Sequence, residues 1–87
     1  MAASKPLLLE AVDHALAGDW QRAHAIAQDH EGDPTADWLH GVVHWIEGDL
    51  SNARYWFGQA GHTFNEHASA PEALRAIAAV LRGSSGT

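Results

Sequence analysis

Two pairs of residues in this chain combine metal-binding side chains with a spacing that places each pair on one face of a helix. Glu10 and His14 are four residues apart, and so are His40 and His44. The second pair follows the first by 30 residues, an interval at which other parts of the sequence also repeat. If the two helices lie side by side, three imidazoles and one carboxylate converge, and this ligand set suits zinc or another first-row divalent ion. The pattern therefore predicts a metal site formed by Glu10, His14, His40 and His44.

The same four residues also fit a simpler interpretation, in which they form the solvated side of two amphipathic helices. The segment from His40 to His44 has the spacing of a zinc protease motif, but Gly41 stands where that mechanism needs a glutamate as general base. No serine, cysteine or lysine nucleophile stands beside a recognisable base. We therefore expect a protein that is not an enzyme, and metal binding is the alternative to the interaction role that the apolar residues indicate.

The elements that position these residues are indicated by a repeat around two Gly-Asp pairs. Gly18 and Asp19 are followed by a bulky apolar residue and then by alanine, and Gly48 and Asp49 begin the same pattern 30 residues later. Glycine can adopt the left-handed conformation that ends a helix, and aspartate can accept hydrogen bonds from the free N–H groups that begin the next one. A fixed period of this size is typical of stacked helical hairpins.

The spacing of apolar residues predicts five helices in one domain that covers residues 1–82. Two antiparallel hairpins are followed by a last helix, whose start from Ser69 to Glu72 matches a capping box. We expect this helix to close the stack, because the second hairpin would otherwise expose its apolar side. Residues 83–87 are predicted to be a flexible tail. The predicted fold is all-α, with helices over about residues 5–17, 19–30, 34–47, 49–61 and 70–82.

The two hairpins resemble the tetratricopeptide repeat family over about residues 7–61. With Gly48 aligned on the family's corner glycine, the small-residue and aromatic positions of the family fall on Gly41, Ala53, Ala60 and Phe57. The period of 30 differs from the family's period of about 34 residues. What the resemblance implies is a non-enzymatic scaffold whose concave surface holds a peptide segment of a partner protein.

The same alignment places Asp37, His40 and His44 where the family has bulky apolar residues. A buried polar group without a partner costs about 1 to 3 kcal/mol. Either the third helix is rotated relative to the family's first helix or these three residues are buried, and we expect the rotation because it costs less free energy.

A tryptophan-containing strip of apolar residues is the predicted partner-binding surface. Such a strip is commonly core, but a five-helix stack cannot easily cover both faces of its third helix, and tryptophan is enriched at binding hot spots. The expected partner is a protein or peptide, including a second copy of this chain. No cofactor is expected on this interpretation, whereas zinc or another divalent metal is expected on the alternative. The strip is formed by Leu8, Val12, Trp38, Val42 and Trp45.

Composition narrows the class of partner further. Five Lys or Arg against eleven Asp or Glu give a formal charge of −6, which repels phosphate backbones, so neither nucleic acid nor an anionic membrane is an expected partner. The chain contains no cysteine, which excludes disulfides and thiolate metal sites. The apolar run from Leu7 to Leu9 is too short for a signal peptide or a membrane span, so we expect a cytoplasmic protein.

Overall fold

The computed structural model describes residues 5–83, which form five α-helices and one short 3₁₀ turn at Phe64–Glu66. The described residues contain no strand, so the prediction of an all-α fold is confirmed. Each predicted helix agrees with an observed one to within two residues at either end. None of the helices in the described part of the chain is long and apolar enough to span a membrane. The helices are α1 (Lys5–Leu16), α2 (Trp20–Gln28), α3 (Pro34–Glu47), α4 (Leu50–Gln59) and α5 (Ala70–Arg82).

The two Gly-Asp pairs form the corners that the sequence predicts. Gly18 and Gly48 have φ angles of 94° and 87°, in the left-handed region that glycine enters without steric cost. Asp19 then accepts a hydrogen bond from the backbone N–H of Arg22, and Asp49 accepts the equivalent bond from Asn52. Each hairpin therefore turns within two to three residues, because the chain ends one helix and caps the next at adjacent positions.

Helix α3 lies at the centre of the packing. Helix α1 packs against α2, and α3 packs against α4, so that the chain forms two helical hairpins joined through the α2–α3 contact. Helix α5 packs against both α1 and α3, with Leu74 and Ile77 fully buried. Its N-cap is Ser69, whose side chain accepts from the N–H of Glu72. The predicted tail is described only at Gly83, and residues 84–87 lie outside the described residues.

The predicted partner-binding strip belongs to the core in this structure. Leu8, Val12, Trp38 and Val42 are each at most 4% exposed. Trp45 is half-buried and lies against Phe64, with ring centroids 4.9 Å apart. Helix α5, which was expected to close the stack, packs against α3, and the connection between α4 and α5 adds the His62 ring, which stacks on Trp38. Together they cover the face of α3 that was expected to stay open.

The expected rotation of α3 is wrong, because its polar side is also buried. Asp37 is 5% exposed and His40 is 2% exposed. Their burial is tolerated because both have partners: Asp37 accepts the N–H of Gly32 at 3.1 Å, and His40 lies against an imidazole of α2. The cost of burying a polar group is small when the group has a hydrogen-bond partner. Helix α3 therefore does not need to be rotated to expose these side chains.

Candidate metal centre

Three imidazoles from two helices meet on the polar side of α3. His40 and His44 are one helical turn apart, and their rings are nearly parallel with centroids 4.9 Å apart. His24 reaches them from α2, with its ring centroid 4.8 Å from that of His40 and 5.0 Å from that of His44. One nitrogen from each ring can be chosen so that all three lie within 4.8 Å of one another. The cluster therefore spans the junction between the two hairpins.

The closest approach in the cluster joins the Nε2 atoms of His24 and His40, which are 3.0 Å apart. Two nitrogens that each lie about 2.05 Å from a tetrahedral zinc ion are about 3.3 Å apart. The observed separation is close to that value, so these two rings need little movement to share an ion. The third ring contributes a nitrogen within 4.8 Å of the other two, so it has to move closer to share the same ion.

Glu47, at the end of α3, lies against the outer edge of the cluster. Its Oε2 atom is 3.2 Å from Nδ1 of His24, and its Oε1 atom is 3.4 Å from Nδ1 of His44. A carboxylate beside Nδ1 favours the tautomer that carries its proton there, which leaves the Nε2 lone pair available as a ligand. For His24 this tautomer presents the lone pair to His40.

Two buried ring nitrogens in the cluster have no hydrogen bond. These are Nδ1 of His40 and Nδ1 of His44. The second lies at ion-pair distance from Glu47, but the contact is not a hydrogen bond. An ion shared by the Nε2 atoms of His24 and His40 would lie at the opposite edge of the His40 ring and would not contact its Nδ1.

Burial keeps His40 in the form that binds metals. Its ring stacks on Trp56 with centroids 4.2 Å apart and is 2% exposed. Burial is the main factor that lowers the pKa of His40 from 6.5 to about 4, and the nearby imidazoles of His24 and His44 act in the same direction. The ring is therefore neutral at pH 7, and neutral imidazole is the form that binds a metal.

The structure unites only half of the ligand set that the sequence indicates. His40 and His44 lie in the cluster, but Glu10 and His14 form a separate pair on α1, with 3.7 Å between Glu10 Oε1 and His14 Nε2. Within residues 5–83, neither of them belongs to a group of three or more ligands within that 4.8 Å spacing. The physical reason is that the polar side of α3 packs against α2 and α4, whereas α1 contacts its apolar side.

His24 is the residue that sequence reasoning missed. Its equivalent 30 residues later is Arg54, so a search guided by the repeat passes over it. The available signal was the short connection of residues 29–33 between α2 and α3. In consecutive helices joined in this way, residues at similar distances from the connection lie side by side, which brings His24 close to His40.

Two further histidines of the described chain, His30 and His62, have other partners. Nδ1 of His30 lies 2.8 Å from the carbonyl oxygen of Ile26, so this half-buried ring is satisfied locally. Nδ1 of His62 lies 3.0 Å from Glu66, and the same imidazole stacks on Trp38 with centroids 3.8 Å apart. These contacts account for both rings without a metal.

No protein-family model, curated protein or solved structure matches this chain. The resemblance to tetratricopeptide repeats therefore stays a prediction. The function has to follow from the geometry of the histidine cluster and the helices that hold it.

Proposed function

We propose that this chain binds a first-row transition-metal ion, zinc in the first place, through His24, His40 and His44. The observation that carries the proposal is the convergence of three imidazoles from two separate helices, with all three ligand atoms within 4.8 Å. Glu47 takes the role of a carboxylate that orients the His24 ring through its Nδ1 atom.

The donor set defines the class of ion. Imidazole suits zinc, copper, nickel and iron, whereas magnesium and calcium prefer oxygen ligands. Because His24 belongs to the first hairpin and the other two ligands to the second, a bound ion cross-links α2 to α3. Metal binding of this kind contributes directly to the free energy of folding.

Metal binding takes precedence here over the interaction scaffold that the sequence favoured. The scaffold hypothesis used Trp38 and Val42 as contact residues, and both are buried, Trp38 with its ring stacked on His62 of the connection between α4 and α5. A partner protein or a second copy of the chain would have to displace packed parts of this chain to reach them. Binding to the tryptophan strip therefore has no supporting contact in this arrangement.

The proposal is tested by calorimetric titration of the metal-free protein with zinc. We expect one high-affinity site per chain, and we expect His24→Gln to weaken it by at least about tenfold, since even residues behind the ligands have effects of that size. His14→Gln is the matched control, because it removes a histidine of the sequence-predicted set that lies outside the cluster. Equal affinity in all three proteins, or weak binding at several sites in the wild type, would contradict the proposal.

A further inference from the structure

We infer that the His24–His40–His44 centre keeps one coordination position for a small anionic donor from solution. This inference rests on the proposed metal-binding function and specifies what the bound ion does. It distinguishes a reactive centre with three protein ligands from a structural site in which the protein supplies all four.

The position of Glu47 is the first reason. Its carboxylate lies 3.2 Å from Nδ1 of His24, whereas the nitrogen that faces His40 is Nε2 on the other side of the same ring. The lone pairs of the two ring nitrogens diverge, so an ion at Nε2 lies beyond the reach of a carboxylate that is held at Nδ1. Glu47 can orient His24 but cannot complete the coordination of an ion at this place.

The second reason is that the described part of the chain offers no fourth ligand side chain close to the three imidazoles. Among the described residues, no fourth His, Cys, Asp or Glu joins the three imidazoles within the same spacing. Asp49 lies 3.8 Å from Nδ1 of His44, and Glu47 lies 3.4 Å from the same atom. These two carboxylates and His44 form a second group of candidate ligands, at the Nδ1 edge of His44. The Asp49 carboxylate also accepts a 2.6 Å hydrogen bond from the side chain of Asn52.

Exposure of the centre determines the size of the donor. The side chains of His24 and Glu47 are 24% and 21% exposed, so the edge formed by α2 and the end of α3 is open to solvent. The opposite wall is closed, because His40 is buried and stacked on Trp56. A small molecule can enter at the open edge, whereas a bulky ligand would meet the packed helices.

Charge determines the sign of the donor. Three neutral imidazoles leave the full double charge on the ion, so an anion is a better fourth ligand than a neutral group. In the absence of another donor, water takes this position, and zinc lowers the pKa of such a water to about 7. The centre is therefore suited to small monoanions, with hydroxide as the default.

The test uses the full chain loaded with cobalt(II), whose visible absorption bands respond to each change of ligand, and azide as the probe. We expect azide to shift these bands in a saturable way with one azide bound per chain. We expect the control His14→Gln to bind cobalt and azide as the wild type does. Glu47→Gln should bind cobalt at least about tenfold more weakly, because Glu47 positions His24, but once it is saturated with cobalt it should give the same azide response.

Two other outcomes would overturn the inference, and they are distinguishable. If cobalt binds but azide leaves the spectrum unchanged, and Glu47→Gln shifts the bands on its own, the carboxylate is the fourth ligand and the site is closed. If no cobalt binds at all, the proposed function itself fails. Saturable spectral change in the wild type and in both variants supports an open position.

Discussion

At the scale of single residues, three features of His40 occur together: its side chain is buried, it stacks on an aromatic ring, and it lies beside two other imidazoles. Its ring lies between Trp56 and the imidazoles of His24 and His44. Burial is the main factor that disfavours the protonated form, since a charge at this position would lose its hydration, and the imidazoles of His24 and His44 act in the same direction. The residue that makes the site suitable for a metal is therefore also the one that is most sensitive to acid.

The first prediction concerns the stability of the metal-free protein in acid. Because the pKa of His40 is about 4 in the folded state and 6.5 in the unfolded state, the unfolded chain binds more protons between these values. The free energy of unfolding should therefore decrease as the pH falls below 6.5 and level off below about 4, with a total loss of up to about 3 kcal/mol. Urea unfolding at a series of pH values in the presence of a chelator measures it.

The control for this prediction is a pair of histidine variants. His40→Gln should lose most of the acid sensitivity between pH 6.5 and about 4, whereas His14→Gln should retain it. If the slope of unfolding free energy against pH in His40→Gln equals that of the wild type, His40 is not the responsible group.

At the scale of elements, α3 is the helix around which the others are arranged. Its residues from Ala36 to Val43 are buried without interruption, which is unusual for an amphipathic helix in so small a chain. Helices α1 and α5 cover the apolar side, and α2 and α4 cover the polar side. Close approach of α4 depends on Gly41, where a side chain would meet the ring of Phe57.

The second prediction is that Gly41→Ala destabilises the fold. An ideal Cβ at this position would lie 2.8 Å from Cε1 of Phe57 and 3.1 Å from the carbonyl oxygen of Ala53. Phe57 is 1% exposed and has no free space into which to move, so we expect a loss of about 1 to 3 kcal/mol in urea unfolding.

A matched control exists in the facing helix. A Cβ added at Gly58 of α4 would meet no other atom within 4 Å, so Gly58→Ala should stabilise the fold by about 0.5 to 1 kcal/mol through helix propensity alone. A stabilising effect of both substitutions would show that α3 and α4 are not in close contact at Gly41.

The elements were predictable from the sequence because their signals are local. Gly48 and Asp49 end one helix and cap the next through bonds within a few residues, and Ser69 begins α5 in the same way. The orientation of α3 was not predictable in this way, because it depends on which helices cover each side. Burial of Asp37 requires the Gly32 N–H, and burial of His40 requires His24, and neither partner is identified by periodicity.

At the scale of the whole molecule, α5 completes the core. It contacts α1 of the first hairpin and α3 of the second, so it ties together elements that lie far apart in the chain. The same closure buries the apolar strip that the sequence offered as a binding surface. The histidine cluster at the junction of α2 and α3 is therefore the candidate functional site, and it lies near the surface.

The third prediction tests this role of α5. Ile77 is fully buried, whereas Val80 on the same helix is 50% exposed. We expect Ile77→Ala to lower the free energy of unfolding by about 2 to 5 kcal/mol, and Val80→Ala to change it by less than about 0.5 kcal/mol. Thermal and urea unfolding measure both, and equal small effects would mean that α5 does not close the core.

The most direct test of the proposed metal centre is a crystal structure of the zinc-loaded protein with anomalous diffraction recorded at the zinc edge. We expect one strong anomalous peak between His24, His40 and His44, within about 2.1 Å of one nitrogen of each ring. A peak at Glu10 and His14, a peak at His62 and Glu66, or no peak in the protein would contradict the proposal.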